Sequence, residues 1–277
     1  MKENRLLFCL LLLISFSTYC QRNASGNAKQ NGDDIYIQSI AVDQYRQFLS
    51  THIVIDSIGS EREVAMIKKA SNRIIGALKA YYTQKKQLTE LNGYNWEIQL
   101  IDRKEVNAWC LPGGKIGVYT GLLSFAHNEG SLAIVLAHEI AHSLLKHGDE
   151  RLKPMLKEYM GGKSFPEALT LKPADAKDIF LMAYGVGTGM GETIGVMPPF
   201  SIKHDMEADI LGLIFTAIAG YPPRETLVLW QRMANFSKTA RQPEFLTAHP
   251  MNDKRMEKME EILEEITKNY YKPINKT

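Results

Sequence analysis

His138 and His142 stand four residues apart inside an apolar run, residues 131–147 of a 277-residue chain. That spacing constrains the fold more than any other feature. On an α-helix, positions i and i+4 share one face. The run therefore predicts a helix that aims two imidazoles at one point. Its flanks, 132–137 and then Ile140 and Ala141, are apolar nearly all round, which is the pattern of a buried helix. Two histidines and Glu139 on such a helix need partners, because unpaired polar groups are costly to bury. A metal ion supplies them.

Glu139 is turned by about 100° from His138 at roughly 3.6 residues per turn. It can face the surroundings of an ion without ligating it. His138-Glu139-Ile140-Ala141-His142 thus has the H-E-x-x-H form, in which two histidines hold zinc and the glutamate acts as general base on water. The alternative is a helix whose histidines face solvent or hold ordinary hydrogen bonds.

A catalytic zinc site has three protein ligands and one open position. The stretch 204–213 opens a second apolar helical run that continues to 219. Asp205 and Asp209 share a face of it, whereas Glu207 points elsewhere. Asp205 is therefore the expected third ligand, with Glu207 as the rival. The alternative role for Asp205 is a helix N-cap. Asp209 is placed to accept a hydrogen bond from a ligating histidine, which fixes the tautomer of the ring. Its alternative is a carboxylate on a solvated face.

These segments, taken together, resemble the M48-type metallopeptidases, in the branch of the periplasmic protease-chaperones and a mitochondrial stress protease. The resemblance spans 61–259 and rests on four segments in the family's order. They are Asn107-Ala108-Trp109-Cys110-Leu111-Pro112-Gly113-Gly114-Lys115-Ile116, then His138 to His142, then 199–212, then His249-Pro250 with Arg255. The resemblance implies one zinc ion per chain, held by His138, His142 and the residue that opens an E-x-x-x-D pattern. That residue is Asp205 here, one methylene shorter than the family's glutamate. It also implies that Asp209 backs a zinc-bound histidine and that Glu139 is catalytic. His249 is implied to approach the metal, as a fourth ligand or as a donor to the tetrahedral oxyanion. Its alternative is a loop histidine capping the last helix. His52, His127, His147 and His204 have no ligand spacing and read as surface or packing residues.

Residues 96–101, 106–110 and 115–120 read as short strands, with a turn at 111–114. The resemblance implies that the strand edge at Asn107 and Ala108 takes an extended peptide substrate as an added strand. A plain buried hairpin is the alternative. Helices are expected at 60–87, 131–147, 172–190, 206–219, 224–237 and 253–271. The expected fold class is α+β, a helix-dominated zincin-like metallopeptidase domain with a small β-sheet.

Lys2 and Arg5 precede an apolar core at 6–16 that is too short to span a membrane. Ser17-Thr18-Tyr19-Cys20 follows. This resembles a lipoprotein signal at 1–19, with Cys20 as the lipidated residue that tethers the chain to a membrane. An ordinary secretory signal or an uncleaved anchor is the alternative. Residues 20–59 then read as tether and lead-in, and 60–277 as the metallopeptidase domain. The location this implies is the bacterial cell envelope, lipid-anchored at the outer membrane and facing the periplasm. With Cys9 and Cys20 removed or modified, Cys110 has no disulfide partner. The formal net charge of +2 comes from interspersed charges, so no nucleic-acid partner is expected.

The function expected is a zinc endopeptidase, and the resemblance implies that it acts on misfolded or unassembled proteins of the envelope. Two other readings stay open: a chaperone or assembly factor with weak or gated proteolysis, and a structural zinc module with a closed coordination shell.

Overall fold

The computed structural model describes residues 32–56, 60–160, 179–186, 199–237 and 244–274. In chain order its elements are α1 (Gly32–Thr51), β1 (Val54–Ile55), α2 (Glu61–Gln84), a short 3-10 turn (Leu88–Leu91), β2 (Glu97–Ile101), β3 (Ala108–Leu111) and β4 (Lys115–Tyr119). There follow α3 (Thr120–Ala126), α4 (Glu129–Leu144), α5 (His147–Met160), α6 (Ile202–Ile218), α7 (Glu225–Ser237), α8 (Glu244–Ala248) and α9 (Asp253–Tyr270). This is the expected α+β fold, dominated by helices.

Among the described residues the strands form one four-stranded sheet in the order β1-β2-β4-β3. β2 and β4 run parallel, and β1 and β3 pair antiparallel on the outside. The chain passes from β3 to β4 through Pro112, Gly113 and Gly114, with both glycines in the left-handed region (φ 78° and 81°). Trp109 on β3 lies across Gly117 on β4, where a Cβ would meet the indole at 2.3 Å. That close approach explains a glycine in the middle of a buried strand.

α4 is the central element. Asn128 caps it, its side chain accepting from the Ser131 N–H at 2.7 Å. Every residue from Gly130 to Ser143 is buried, as its all-round apolar pattern requires. α6 crosses against it at Gly212, where a Cβ would stand 3.1 Å from the backbone of Ala137 and His138. The glycine lets two helices that both carry site residues approach closely. α2 and α9 complete this core, with Ile74, Leu78, Ile262 and Ile266 buried.

Several boundaries differ from expectation, among them the end of α4, which stops at Leu144 rather than 147. α6 begins at Ile202 rather than 206, because Ser201 serves as its N-cap and accepts from the His204 N–H. Residues 32–56, expected as lead-in, form α1 and β1; Ile37, Tyr45 and Phe48 of α1 are buried against Trp109 and Leu111. The helix expected at 172–190 lies mostly outside the described residues, and 179–183 of it is helical. The leader and Cys20 also lie outside them.

Candidate metal centre

Four side chains converge in the interior. His138 and His142 come from α4, one turn apart. Their Nε2 atoms are 3.0 Å apart and the rings meet edge-on, centroids 4.6 Å apart. Asp205, in the first turn of α6, brings Oδ1 to 3.4 Å from His142 Nε2 and 3.8 Å from His138 Nε2. His249, just after α8, brings Nδ1 to 2.8 Å from that same Oδ1 and 3.3 Å from His138 Nε2. One ligand atom from each residue lies within 4.8 Å of all the others, and all four residues are buried.

The chemistry of this donor set fits a metal. Two imidazole Nε2 atoms at 3.0 Å can share at most one proton between them, and a third ring and a carboxylate oxygen point at the same spot. Converging lone pairs repel unless a cation sits between them. Burial lowers the His142 and His249 pKa values, that of His249 to about 4. The rings are therefore neutral, the form a metal needs. Burial alone would raise Asp205. Arg255 first, and the neighbouring His142 and His249, outweigh that and hold the carboxylate well below its usual range. The set of nitrogen and oxygen ligands suits zinc.

Arg255 organises the back of the site. It lies in the first turn of α9, whose N-cap Asn252 accepts from the Arg255 N–H at 3.0 Å. Its Nη1 reaches Asp205 Oδ2 at 3.3 Å and donates to the carbonyls of His249 and Pro250. The guanidinium lies over Trp230, 5.1 Å from the ring centroid. Asp209, one turn along α6 from Asp205, has Oδ1 3.0 Å from His138 Nδ1. The structure thus places Asp209 beside the first histidine, on the side away from the donor cluster.

Glu139 is buried and stands outside the four-donor set, as its rotation on the helix requires. Its Oε1 is 3.4 Å from His249 Nε2. Burial, then the nearby Asp205 charge, raise its pKa well above the usual carboxylate value, against the opposing pull of Arg255 and Arg151. A carboxyl group whose proton affinity is raised in this way is suited to take a proton and return it.

Asn107 precedes β3 and is buried, its Nδ2 donating to the Gly185 carbonyl at 3.3 Å. β3 is one of the two outer strands of the sheet. The Tyr119 N–H donates to the Asn107 carbonyl at 3.1 Å, so pairing alternates from there. Ala108 and Cys110 therefore direct their N–H and C=O groups away from β4.

Glu207 does not reach the cluster. Its Oε2 is 3.1 Å from His147 Nε2. His147, expected as a surface or packing residue, is buried, with Nδ1 3.0 Å from His142 Nδ1. The sequence hid this because a step of five residues does not stay on one helical face. The chain breaks after α4, turns through Lys146 with φ 58°, and brings His147 back at the start of α5. His204 stacks on His147, ring centroids 4.4 Å apart. Arg151, also unforeseen, is buried with its guanidinium 3.9 Å from the Phe200 ring centroid. Phe200 in turn stacks on His249.

With this geometry in view, the chain is similar to the mitochondrial metalloendopeptidase OMA1 of Schizosaccharomyces pombe, 32% identical over 63% of this chain and 49% of the relative. The protein of the same name from Saccharomyces cerevisiae is 32% identical over 65% of this chain and 50% of its own length. The beta-barrel assembly-enhancing protease of Yersinia pestis is 29% identical over 57% of this chain and 32% of its own length. The chain thus spans half or less of the curated relatives it matches. These relatives correct the expected location. Those of highest identity here carry a mitochondrial name, which points away from a lipid-anchored place at a bacterial outer membrane. The physical reason for the misreading is that a basic start and a short apolar core do not specify one membrane system. The family model "Peptidase family M48" matches residues 71–263, and the chain belongs to that family.

Proposed function

We propose that the chain is a zinc-dependent endopeptidase that cleaves unfolded or unassembled protein segments. The observation that carries this is the convergence of four buried metal-ligating side chains beside the buried carboxyl group of Glu139. Metallopeptidases of this family depend on zinc. His138, His142 and Asp205 are the residues that would hold it. When bound, zinc polarises a peptide carbonyl and makes a water molecule more acidic.

The remaining roles belong to the chain's own groups. Glu139 takes the proton from the attacking water and returns it to the leaving amine. Asp209, anchored by Arg255, keeps the proton of His138 on Nδ1 and so leaves Nε2 free as a ligand. The outward backbone groups of Ala108 and Cys110 bind the substrate as an added strand, with Asn107 at its end. Such an edge accepts only an extended chain, which favours unfolded or unassembled substrates over folded ones.

A second reading, gated proteolysis in a protein that acts mainly as an assembly factor, draws on one observation. His249 Nδ1 lies within the donor set and Nε2 beside Glu139. In that arrangement His249 would be a fourth ligand to a bound zinc and would compete with water there. Substituting His249 by Ala separates the two readings. Faster cleavage of a denatured casein-type substrate supports gating, and slower cleavage supports a role as oxyanion donor. Cleavage by the unsubstituted chain that persists at full rate in excess chelator would overturn the zinc peptidase reading itself.

A further inference from the structure

The two histidines of α4 are backed in different ways. His138 Nδ1 faces the carboxylate of Asp209 at 3.0 Å. His142 Nδ1 faces another imidazole, His147 Nδ1, at 3.0 Å, and His147 Nε2 faces Glu207 Oε2 at 3.1 Å. His147 is 2% exposed and Glu207 13% exposed on their side chains.

Proton positions in this chain follow from elementary bookkeeping. His142 Nε2 is the atom that faces Asp205 and His138. If its lone pair is to meet a metal, the proton must sit on Nδ1. The group facing that proton is His147 Nδ1, which must then be a bare acceptor. The His147 proton is consequently on Nε2, where the Glu207 carboxylate accepts it. Each nitrogen has one role and no donor is left over. Lys203 Nζ lies 3.7 Å from the other Glu207 oxygen. The His147 ring is held in plane by stacking on His204, whose Nε2 is 2.9 Å from Glu150 Oε2.

We propose that His147 and Glu207 are a positioning pair that fixes the tautomer and orientation of His142 for metal binding. This rests on the reading of His142 as a ligand. Neither residue touches the metal or the substrate. Without an acceptor at position 147, His142 either buries an unpaired N–H or moves its proton to Nε2, where it cannot ligate.

The test is zinc affinity, measured by competition with a chromophoric chelator, in the unsubstituted chain and in H147F, H147Q and E207L. The absorption of the cobalt-loaded forms is recorded alongside. Phe keeps the ring volume and removes the acceptor. Gln keeps one acceptor and one donor on a flexible side chain. H147F is expected to bind zinc about 10–100-fold more weakly, the usual loss when a ligand's outer partner is removed. H147Q should recover most of that affinity, and E207L should fall in between. The cobalt bands should shift in H147F and return toward their original position in H147Q. A purely structural role predicts no such rescue. H147F affinity equal to that of the unsubstituted chain, or H147Q as weak as H147F, overturns the proposal. If H147F does not fold, E207L binding zinc unchanged overturns it instead. An unsubstituted chain that takes up no zinc overturns this proposal and the peptidase reading together; normal uptake with an unaffected H147F overturns only the positioning role.

Discussion

Arg255 grips Asp209 with two parallel hydrogen bonds, Nε to Oδ2 at 2.8 Å and Nη2 to Oδ1 at 2.9 Å, and both residues are buried. The paired carboxylate backs His138, and the same guanidinium faces Asp205. Removing the cation strands two buried carboxylates. Arg255→Met should therefore destabilise the fold by about 3–5 kcal/mol, the cost of breaking a buried ion pair. Denaturant unfolding of the metal-free protein measures it. A loss below ~1 kcal/mol, the range of an exposed pair, would show that Arg255 does not hold the site together.

The third ligand is decided by reach. Asp205 Oδ1 stands 3.4 Å from His142 Nε2, while Glu207 faces away toward His147. Asp205→Asn should weaken zinc binding more than any change at 207. Glu207→Gln should have a small effect, because the amide oxygen still accepts from His147. Asp205→Glu should keep the metal, since both carboxylates ligate zinc at about 2.0–2.2 Å. Chelator competition across the three variants reads the order. An emptied site in Glu207→Gln beside a full one in Asp205→Asn would reverse the assignment.

Much of this centre was legible in the chain because helical periodicity carries it. His138 with His142, and Asp205 with Asp209, are i and i+4 pairs, and that rule places each pair on one face without knowledge of the fold. His249 and Arg255 came from motif resemblance, since they reach the site from the end of the chain. His147 was not legible. Its partnership with His142 depends on a turn at Lys146 and a new helix, which no spacing rule encodes. α1 was also missed. Its apolar periodicity is weak, and its Tyr45 and Phe48 meet Trp109 only in three dimensions.

Gly212 ties fold to site. A methyl group there would press within 3.1 Å of the α4 backbone at Ala137 and His138. Gly212→Ala should push α6 away from α4 and cost about 1–3 kcal/mol, as overpacking does. It should also weaken zinc binding, because Asp205 and Asp209 move with α6. Thermal unfolding and zinc titration of one preparation check both effects. Lost stability with unaltered zinc affinity would show that the two helices do not need this approach to form the site.

The central claim is that a zinc ion sits beside Glu139 and that Glu139 moves the proton. Its most direct test measures zinc content and cleavage of an unfolded protein on the same samples of the unsubstituted chain and Glu139→Gln. The account predicts one zinc per chain in both and a loss of turnover in the variant of about 10²–10⁴-fold, the usual contribution of general acid–base assistance. Turnover retained by a zinc-loaded Glu139→Gln variant, or an unsubstituted chain that cleaves without zinc, would contradict it.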